Sequence, residues 1–404
     1  MKILVLENEP SSRRGGQELS LLDVCRGLAG HGHQIDFVYT CEGDLLDQYR
    51  TFCRSLIKVD RYTIDRSTPV SSLAGVARGL LRLLPADTDL IYFNQYHDAM
   101  FGGMLARLKR VPLVCHLRLF PPGTFCGQWR IGLPAVTRFI AVSEATRSAY
   151  IEAGFSPDSI DVVYNGIDLQ RFALAEDRQQ TRASLGIDPG TFVVIYVGRV
   201  DRPKNIEMVL HAFSMLGIPA GGKCLVIVGG ALVHASKEAG DRYIDELKEV
   251  ADTLGIAGQV AWLGRRNDIP ELFRAADVSV LPSMLPETFG RAIAESMACG
   301  TPAVGVRLGG IPEILTGEFA RYCIDCDDVD GLAAMLASLL NWRRDDSQLG
   351  MRCRQHTVER FDARRMADEV HVVLDRAMHA ARLRSGPSAA VLKAWHNEDG
   401  YQQG

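Results

Sequence analysis

The sequence predicts an α/β protein of two doubly wound, parallel-sheet domains in tandem. Three observations carry that expectation. Short apolar runs alternate with helix-period patterns through the first half, and the same plan restarts in the second half. Between them stands a turn-forming segment, Tyr164-Asn165-Gly166-Ile167-Asp168. Parallel sheets built this way are covered on both faces and bind ligands at the carboxyl ends of their strands. Two of them with facing carboxyl edges predict a cleft between the domains.

The pattern places first-half strands at Lys2–Leu6, Gln34–Thr40, Leu56–Asp60, Leu90–Phe93, Pro112–Leu117 and Phe139–Val142. Helices are expected near Gly16–Ala29, Ser71–Leu83, Ala99–Leu108 and Glu144–Ala153, with Gly30-His31-Gly32-His33 turning the chain into its second strand. In the second half Phe192–Val197 runs into Gly198-Arg199, Lys223–Val228 into Gly229-Gly230, and Val260–Leu263 into Gly264-Arg265-Arg266. Val278–Leu281 is the next strand. Helices are expected near Pro203–Leu216, Tyr243–Leu254, Ile269–Ala275, Asp330–Leu340 and Ser347–Arg360. The expected domains are 1–168 and 169–362, followed by a helix over 363–383 that crosses back to the first, and a polar tail, 384–404.

Composition sets limits. The 404 residues suffice for two ordinary domains, and 47% hydrophobic with 23% charged residues is globular composition. A net charge of −4 argues against a general nucleic-acid binder. No apolar run approaches bilayer-spanning length, and Met1-Lys2-Ile3-Leu4-Val5-Leu6 reads as a buried strand rather than a signal peptide, so a cytoplasmic protein is expected. Cys25, Cys115, Cys224 and Cys299 fall inside expected elements and behave as small hydrophobes. Cys323-Ile324-Asp325-Cys326 with Cys353-Arg354-Gln355-His356 could ligate zinc, but the first pair reads as strand and turn and the second as helix.

The most informative stretch is Pro286 to Pro302, in which Glu287 and Glu295 stand eight positions apart. Thr288 can cap a helix, Ala292–Ala298 favours one, and Gly300 can close it. Eight helical residues span about 12 Å, the reach between the two rings of a ligand with a diphosphate in its middle. Free N–H groups at such a helix start would suit that diphosphate. The bland reading is an amphipathic helix carrying one exposed and one capping glutamate.

Several segments together resemble the retaining glycosyltransferases of family 4 (glycosyl transferases group 1, glycogen-synthase-like). These are Val163–Asp168, Val197-Gly198-Arg199 through Pro203-Lys204-Asn205, Pro286–Pro302, and Leu308-Gly309-Gly310-Ile311-Pro312-Glu313. The first half matches more weakly, through Gly15-Gly16-Gln17-Glu18 and Gly30–Ile35. The resemblance implies the GT-B fold, two Rossmann-like domains facing each other across a cleft. It implies transfer of a hexose from a nucleotide-sugar, expected to be UDP-linked, to a hydroxyl acceptor in polysaccharide, glycolipid or glycoside synthesis. Retention would follow a front-face route in which the leaving phosphate helps deprotonate the acceptor. No cofactor or metal is expected.

Site residues follow from the same resemblance. Arg199 and Lys204, placed after a strand end, would neutralise the diphosphate, with Gly198 beside them. Glu287 would bind the donor sugar and Glu295 the ribose diol. The Thr288-Phe289-Gly290 backbone and the Gly15-Gly16 loop would approach the phosphates, and Gly264-Arg265 lie where the family holds its base. A closing motion would hinge near Asn165–Asp168 and at the crossing into the last helix.

The first domain departs from the family pattern. Six residues after Pro112 the usual histidine is Arg118, with His116 two positions earlier on the same strand face. Either can take the catalytic contact, or His116 can be a hydrogen-bonded core residue. Asn94 stands where another histidine is common, and Asn94 with His97 and Asp98 can line the acceptor side or serve as loop and cap residues. Asp87-Thr88-Asp89 and Asp325-Cys326-Asp327 match a three-residue metal pattern only formally. Ser71–Leu83, with Arg78 and Arg82 among leucines, can rest on anionic lipid as a peripheral contact or pack on the sheet with its arginines in water. Two other functions share these residues: a nucleotide-sugar epimerase, and a catalytically idle sugar-nucleotide binder.

Overall fold

A computed structural model describes residues 1–125, 127–231 and 237–383, with the side chains of 237–241 left aside. The expected tail over 384–404 lies outside the described residues. The chain divides into two compact units: one of residues 1–12, 16–166 and 363 onward, the other of 13–15 and 167–362.

The first unit holds a seven-stranded sheet in the order β3-β2-β1-β4-β5-β6-β7. Its strands are β1 (Lys2–Leu6), β2 (Gln34–Tyr39), β3 (Ser55–Lys58), β4 (Leu90–Phe93), β5 (Leu113–Leu117), β6 (Arg138–Ala141) and β7 (Ile160–Val162). Every pairing is parallel. Alternation along β1 splits the core in two. Leu4 and Leu6 join a cluster with Ile91, Phe93 and Phe101, whereas Ile3 and Val5 join one with Phe37, Tyr92 and Ile140.

The helix Ala363–Leu383 completes the second of these clusters. Met366, Val370, Val373, Leu374 and Ala377 recur at helical spacing and are buried against that face. It also packs tightly on the helix Gly16–Gly30. A Cβ at Gly27 would lie 2.2 Å from the Ala367 Cβ, so glycine is what allows the approach.

The helix Pro69–Leu83 starts two residues earlier than expected and buries Gly75, Val76, Gly79, Leu80 and Leu83. Arg78 pairs with Asp60, and Arg82 donates to the Lys58 carbonyl 2.8 Å away. Among the described residues no helix is long and apolar enough to cross a membrane.

The second unit holds a six-stranded sheet, β10-β9-β8-β11-β12-β13, again parallel throughout. Its strands are β8 (Phe192–Val197), β9 (Lys223–Val228), β10 (Val260–Gly264), β11 (Val278–Leu281), β12 (Ala303–Val306) and β13 (Cys323–Ile324). In both units the connections diverge from one pair of neighbours, β1/β4 and β8/β11. Those are the points where such sheets open a crevice at their carboxyl ends.

Two local expectations are corrected. The helix after β8 begins at Ile206, not Pro203, because Arg202–Lys204 form a 3-10 turn and Asn205 is left-handed at φ 53°. Asn205 holds that conformation with its side-chain amide 2.8 Å from Asp327 Oδ1. The helix in the Glu287–Glu295 stretch runs only Arg291–Ala298, and its N-cap is Gly290 at φ 101°, not Thr288. Only glycine takes that φ without strain. Between Arg291 and Glu295 the helical rise is therefore about 6 Å, half the span read from sequence. At its other end Gly300, φ 76°, donates to the Met297 carbonyl at 3.0 Å while Thr301 donates to Ser296 at 3.1 Å, the paired bonds of a Schellman close.

Candidate functional site

In the second unit the loops after β8 and β11 meet at the divergence point. Lys204 follows β8, Glu287 follows β11, and the Lys204 ammonium donates directly to the Glu287 carboxylate. Ser283 donates its hydroxyl to the same oxygen. Both charged side chains are mostly enclosed, 14% and 19% exposed, so neither has water as its main partner.

Glu287 is fixed from behind by the glycine turn. Its carbonyl accepts from the Gly310 N–H at 2.7 Å, and Glu287 and Gly309 form an isolated parallel bridge. A Cβ on Gly309 would lie 2.2 Å from the Glu287 carbonyl oxygen, and one on Gly310 2.7 Å from that of Thr288. The Gly-Gly pair thus exists for close backbone contact. Phe289 is buried, its ring edge-on to Phe361 at 5.3 Å.

Arg199 leaves the end of β8 partly exposed, with Nε 3.3 Å from Asp201 Oδ2, and its carbonyl accepts from the Tyr196 hydroxyl at 2.5 Å. Strand ends here are crowded backbone. Gly198 donates to Val228, Gly229 donates to the Gly264 carbonyl at 2.8 Å, and a Cβ at Gly229 would strike the Gly198 carbonyl. Arg265 then reaches the Ala231 carbonyl at 2.5 Å and that of Arg13 at 2.9 Å, and the short segment Arg13–Gly15 clusters with this unit. Gly15 has φ 145°, and Gly16 opens the first helix of the other unit.

Glu295 is buried and paired with Arg291 one turn earlier, Nε to Oε1 3.0 Å. Burial pushes its carboxyl up from the ordinary value, with Arg291 pulling the other way.

In the first unit the sequence-nominated residues form a buried network instead of an open surface. Arg118 donates from Nη1 to Asn165 Oδ1 at 2.6 Å and to the Ser20 hydroxyl at 2.7 Å, and from Nε to Asn94. Its Nη2 lies 3.2 Å from His116 Nδ1, and the Tyr92 hydroxyl lies 2.5 Å from the same nitrogen. Two donors at Nδ1 assign the imidazole proton to Nε2. Burial, then Arg118, holds the His116 pKa well below its ordinary value. His116 is thus a neutral, hydrogen-bonded core residue, and the expected alternation of the two side chains on one face is seen directly.

Asn94, in the bend just past β4, is likewise buried and not solvated, and donates to Glu7 Oε2 at 2.8 Å. Asp98 is buried, and His97 sits half-buried in a 3-10 turn, its ring 4.8 Å from Trp129.

The metal-like patterns are placed elsewhere. Asp87 pairs with Lys2, and Asp89 accepts from the Lys2 N–H at 2.7 Å, before β4 and away from its carboxyl end. Asp325 pairs with Arg307 at 3.4 Å. Cys323, Cys326, Cys353 and His356 do not form a cluster among the described residues, and His356 Nε2 instead lies 2.7 Å from the Ile314 carbonyl.

Several participants escaped the sequence reading, Ser20 and Tyr92 of the buried network among them. Ser283 and Glu7 lie just past β11 and β1, and strand-end position was their only signal. Arg291 was visible in its four-residue spacing to Glu295.

Residues 177–356 match the family described as glycosyl transferases group 1, and residues 14–171 match glycosyltransferase family 4. The D-inositol 3-phosphate glycosyltransferase of Mycobacterium marinum is 37% identical over 284 residues, 66% of this chain and 59% of that protein. The chain thus spans under two thirds of that relative. D-inositol 3-phosphate glycosyltransferase 1 of Catenulispora acidiphila is 26% identical over 81% of this chain and 82% of its own. Among solved structures, Anabaena Alr3699/HepE in complex with UDP and glucose superposes with a TM-score of 0.80 at 25% identity, over 93% of this chain and all (100%) of that one. Sucrose-phosphate synthase from Thermosynechococcus elongatus shares the fold at a TM-score of 0.74 and 19% identity, over 94% of this chain and 100% of that one.

Proposed function

The chain belongs to the glycosyl transferases group 1 of family 4, with the GT-B fold, and on that premise we propose that it transfers a sugar from a UDP-linked donor to a hydroxyl acceptor with retention at the anomeric carbon. The observation that carries the reading is the meeting of Lys204 and Glu287 at the divergence point of the second sheet. A diphosphate arriving there finds an ammonium, the Arg199 guanidinium and, at Gly290-Arg291, a helix start. Glu287 is then released from Lys204 to accept hydrogen bonds from the sugar hydroxyls.

In this reading the cations stabilise charge that develops on the leaving diphosphate as the glycosidic bond to it breaks. A phosphate oxygen takes the acceptor proton on the same face, so neither glutamate acts as nucleophile. Glu295, buried and tied to Arg291, is suited to the ribose diol rather than to proton transfer. The UDP and glucose of the Anabaena structure support a UDP-sugar donor. The relatives named for D-inositol 3-phosphate support a polyol hydroxyl as acceptor.

A donor-by-acceptor screen with mass detection tests this. UDP-glucose with inositol-phosphate acceptors is expected to give a product heavier by one hexose. Donor turnover without any acceptor product would overturn transfer. Thermal shifts with UDP, GDP and ADP would assign the base, UDP being expected to stabilise most.

A further inference from the structure

At the opposite edge of the first sheet three histidines converge. His31 and His33 lie in the turn between the helix Gly16–Gly30 and β2, and His371 lies on the helix Ala363–Leu383. One ring nitrogen from each falls within 4.8 Å of the other two, and this is the group of metal-ligating type found among the described residues. His33 Nε2 and His371 Nδ1 are 3.0 Å apart although 338 positions separate them. The rings are splayed and not stacked: His31 and His371 are tilted by 54°, His33 and His371 by 45°.

We infer that this cluster is a structural site for a divalent borderline metal ion of the zinc class, with His31, His33 and His371 as its protein ligands. Three neutral imidazoles with an open fourth position are a donor set that zinc, cobalt and nickel accept. Ligand nitrogens around a tetrahedral zinc stand about 3.4 Å apart, given bonds near 2.1 Å. The close His33–His371 pair therefore needs to open by a few tenths of an ångström, and the third ring to swing inward by no more than about 1.4 Å. Side-chain rotation covers both.

Two of the three outer groups are carboxylates, while His33 Nδ1 faces the Met1 ammonium at 3.0 Å, which has to turn aside for that nitrogen to carry the proton when Nε2 binds the ion. His31 Nε2 is 2.8 Å from Asp368 Oδ1, and His371 Nε2 is 3.4 Å from Asp375 Oδ2. A carboxylate on the far nitrogen fixes the ring's tautomer and raises its basicity toward a metal. The His371 nitrogen that faces His33 is Nδ1, so Asp375 sits on the far one, as that arrangement requires. His31 and His371 are each about one-third exposed (34% and 32%), which leaves room for a water as fourth ligand.

The site lies before β2, at the strand end remote from the carboxyl edge where Glu7 and Asn94 meet, so its role is to hold and not to react. The ion would clip the long helix to the turn that feeds β2, closing a loop of more than three hundred residues. Binding to the folded chain alone adds stability that grows with the logarithm of the ion concentration relative to its dissociation constant.

The test uses the full chain without an affinity tag, titrated with Zn²⁺ by calorimetry and with Co²⁺ by absorbance. One equivalent is expected to bind with a dissociation constant of about 10 µM or tighter, with the visible bands of tetrahedral cobalt and no thiolate charge-transfer band. His33→Gln and His371→Gln should each weaken binding by about 100-fold or more, and Asp368→Asn by about tenfold. Zn²⁺ should raise the melting temperature of the wild type and not of His371→Gln. Absence of saturable one-to-one binding to the wild type would overturn the site, as would a thiolate band or undiminished affinity in the variants. Asp368→Asn alters an exposed carboxylate, so it keeps the comparison available should a histidine variant fail to fold.

Discussion

Lys204 donates its ammonium to Glu287 across 83 positions of chain, joining the loops that leave β8 and β11. The first sheet has a counterpart at its own point of divergence. There Asn94, just past β4, donates to Glu7, just past β1, at 2.8 Å. Each sheet thus has a polar clasp where its connections part. The difference is charge: the first clasp joins an amide to a carboxylate inside a buried network, and the second joins two opposite charges that a ligand can separate.

Replacing Glu287 by Gln keeps an acceptor for the Ser283 hydroxyl and removes the charge. We expect kcat/KM for transfer to fall about 100-fold or more, while UDP affinity stays within about threefold, because Lys204 remains free to meet the diphosphate. Product mass spectrometry and calorimetry with UDP measure the two sides. Full transfer activity in this variant would count against the donor role of Glu287.

Arg291→Ala leaves Glu295 buried without its cation. Burial already raises the folded pKa of that carboxyl above its ordinary 4.5, and losing Arg291 raises it further. The folded chain then keeps a proton that the unfolded chain has released, so the cost grows as pH rises past about 4.5. Urea denaturation should show a deficit against wild type of about 3 kcal/mol at pH 7 and a smaller one at pH 5. Equal deficits at the two pH values would exclude Glu295 as the cause.

His116 sets the opposite slope. Its folded pKa is held well below the ordinary 6.5 by burial and Arg118, so the unfolded chain takes up a proton that the folded chain refuses. Its contribution is complete above pH 6.5 and is lost as pH falls, by about 1.4 kcal/mol for each unit well below 6.5. His116→Gln removes the titration. Its stability should therefore fall less steeply than that of the wild type between pH 7 and pH 5, whatever its stability at pH 7.

Gly309→Ala and Gly317→Ala make a matched pair. Both glycines are left-handed, φ 63° and 60°, but a Cβ at Gly317 meets nothing within 4 Å whereas one at Gly309 lies 2.2 Å from the Glu287 carbonyl oxygen. The Gly317 change should cost about 1 kcal/mol and spare activity. The Gly309 change should cost more than about 2 kcal/mol and reduce transfer, because Glu287 must move. Similar losses at both sites would show that φ alone matters.

Most strands and long helices were legible because apolar runs bounded by glycine have few other readings, but the three-residue β7 was not read and the helix Lys237–Thr253 was read only from Tyr243. The helix expected over about Ala363–Leu383, after Phe361-Asp362, begins at Ala363 and runs to Leu383, the last described residue. Short elements such as Leu46–Arg50, Gly127–Gly132 and Arg178–Ser184 carry too few apolar positions to show a period. The Glu287–Glu295 spacing was visible, but the left-handed Gly290 that shortens the helix between them was not. Lys204 and Glu287 were each nominated, for different parts of one ligand. That they hold each other is a long-range fact with no local pattern. In the first unit, residue type suggested a reactive surface at His116 and Arg118, and only burial shows a closed network.

The first unit takes its last helix from beyond residue 362, while every strand of the second lies between Phe192 and Ile324. As the chain leaves the ribosome, the sheet begun by β1 waits with one face only partly covered, by the helices Gly16–Gly30 and Leu46–Arg50, until Met366 to Ala377 have been made. The second sheet has all its strands before that happens. The unit begun first of the two is therefore finished last, and a chain stalled near residue 362 would carry Val114 and Ile140 under an unfilled groove, a surface that invites chaperones or aggregation.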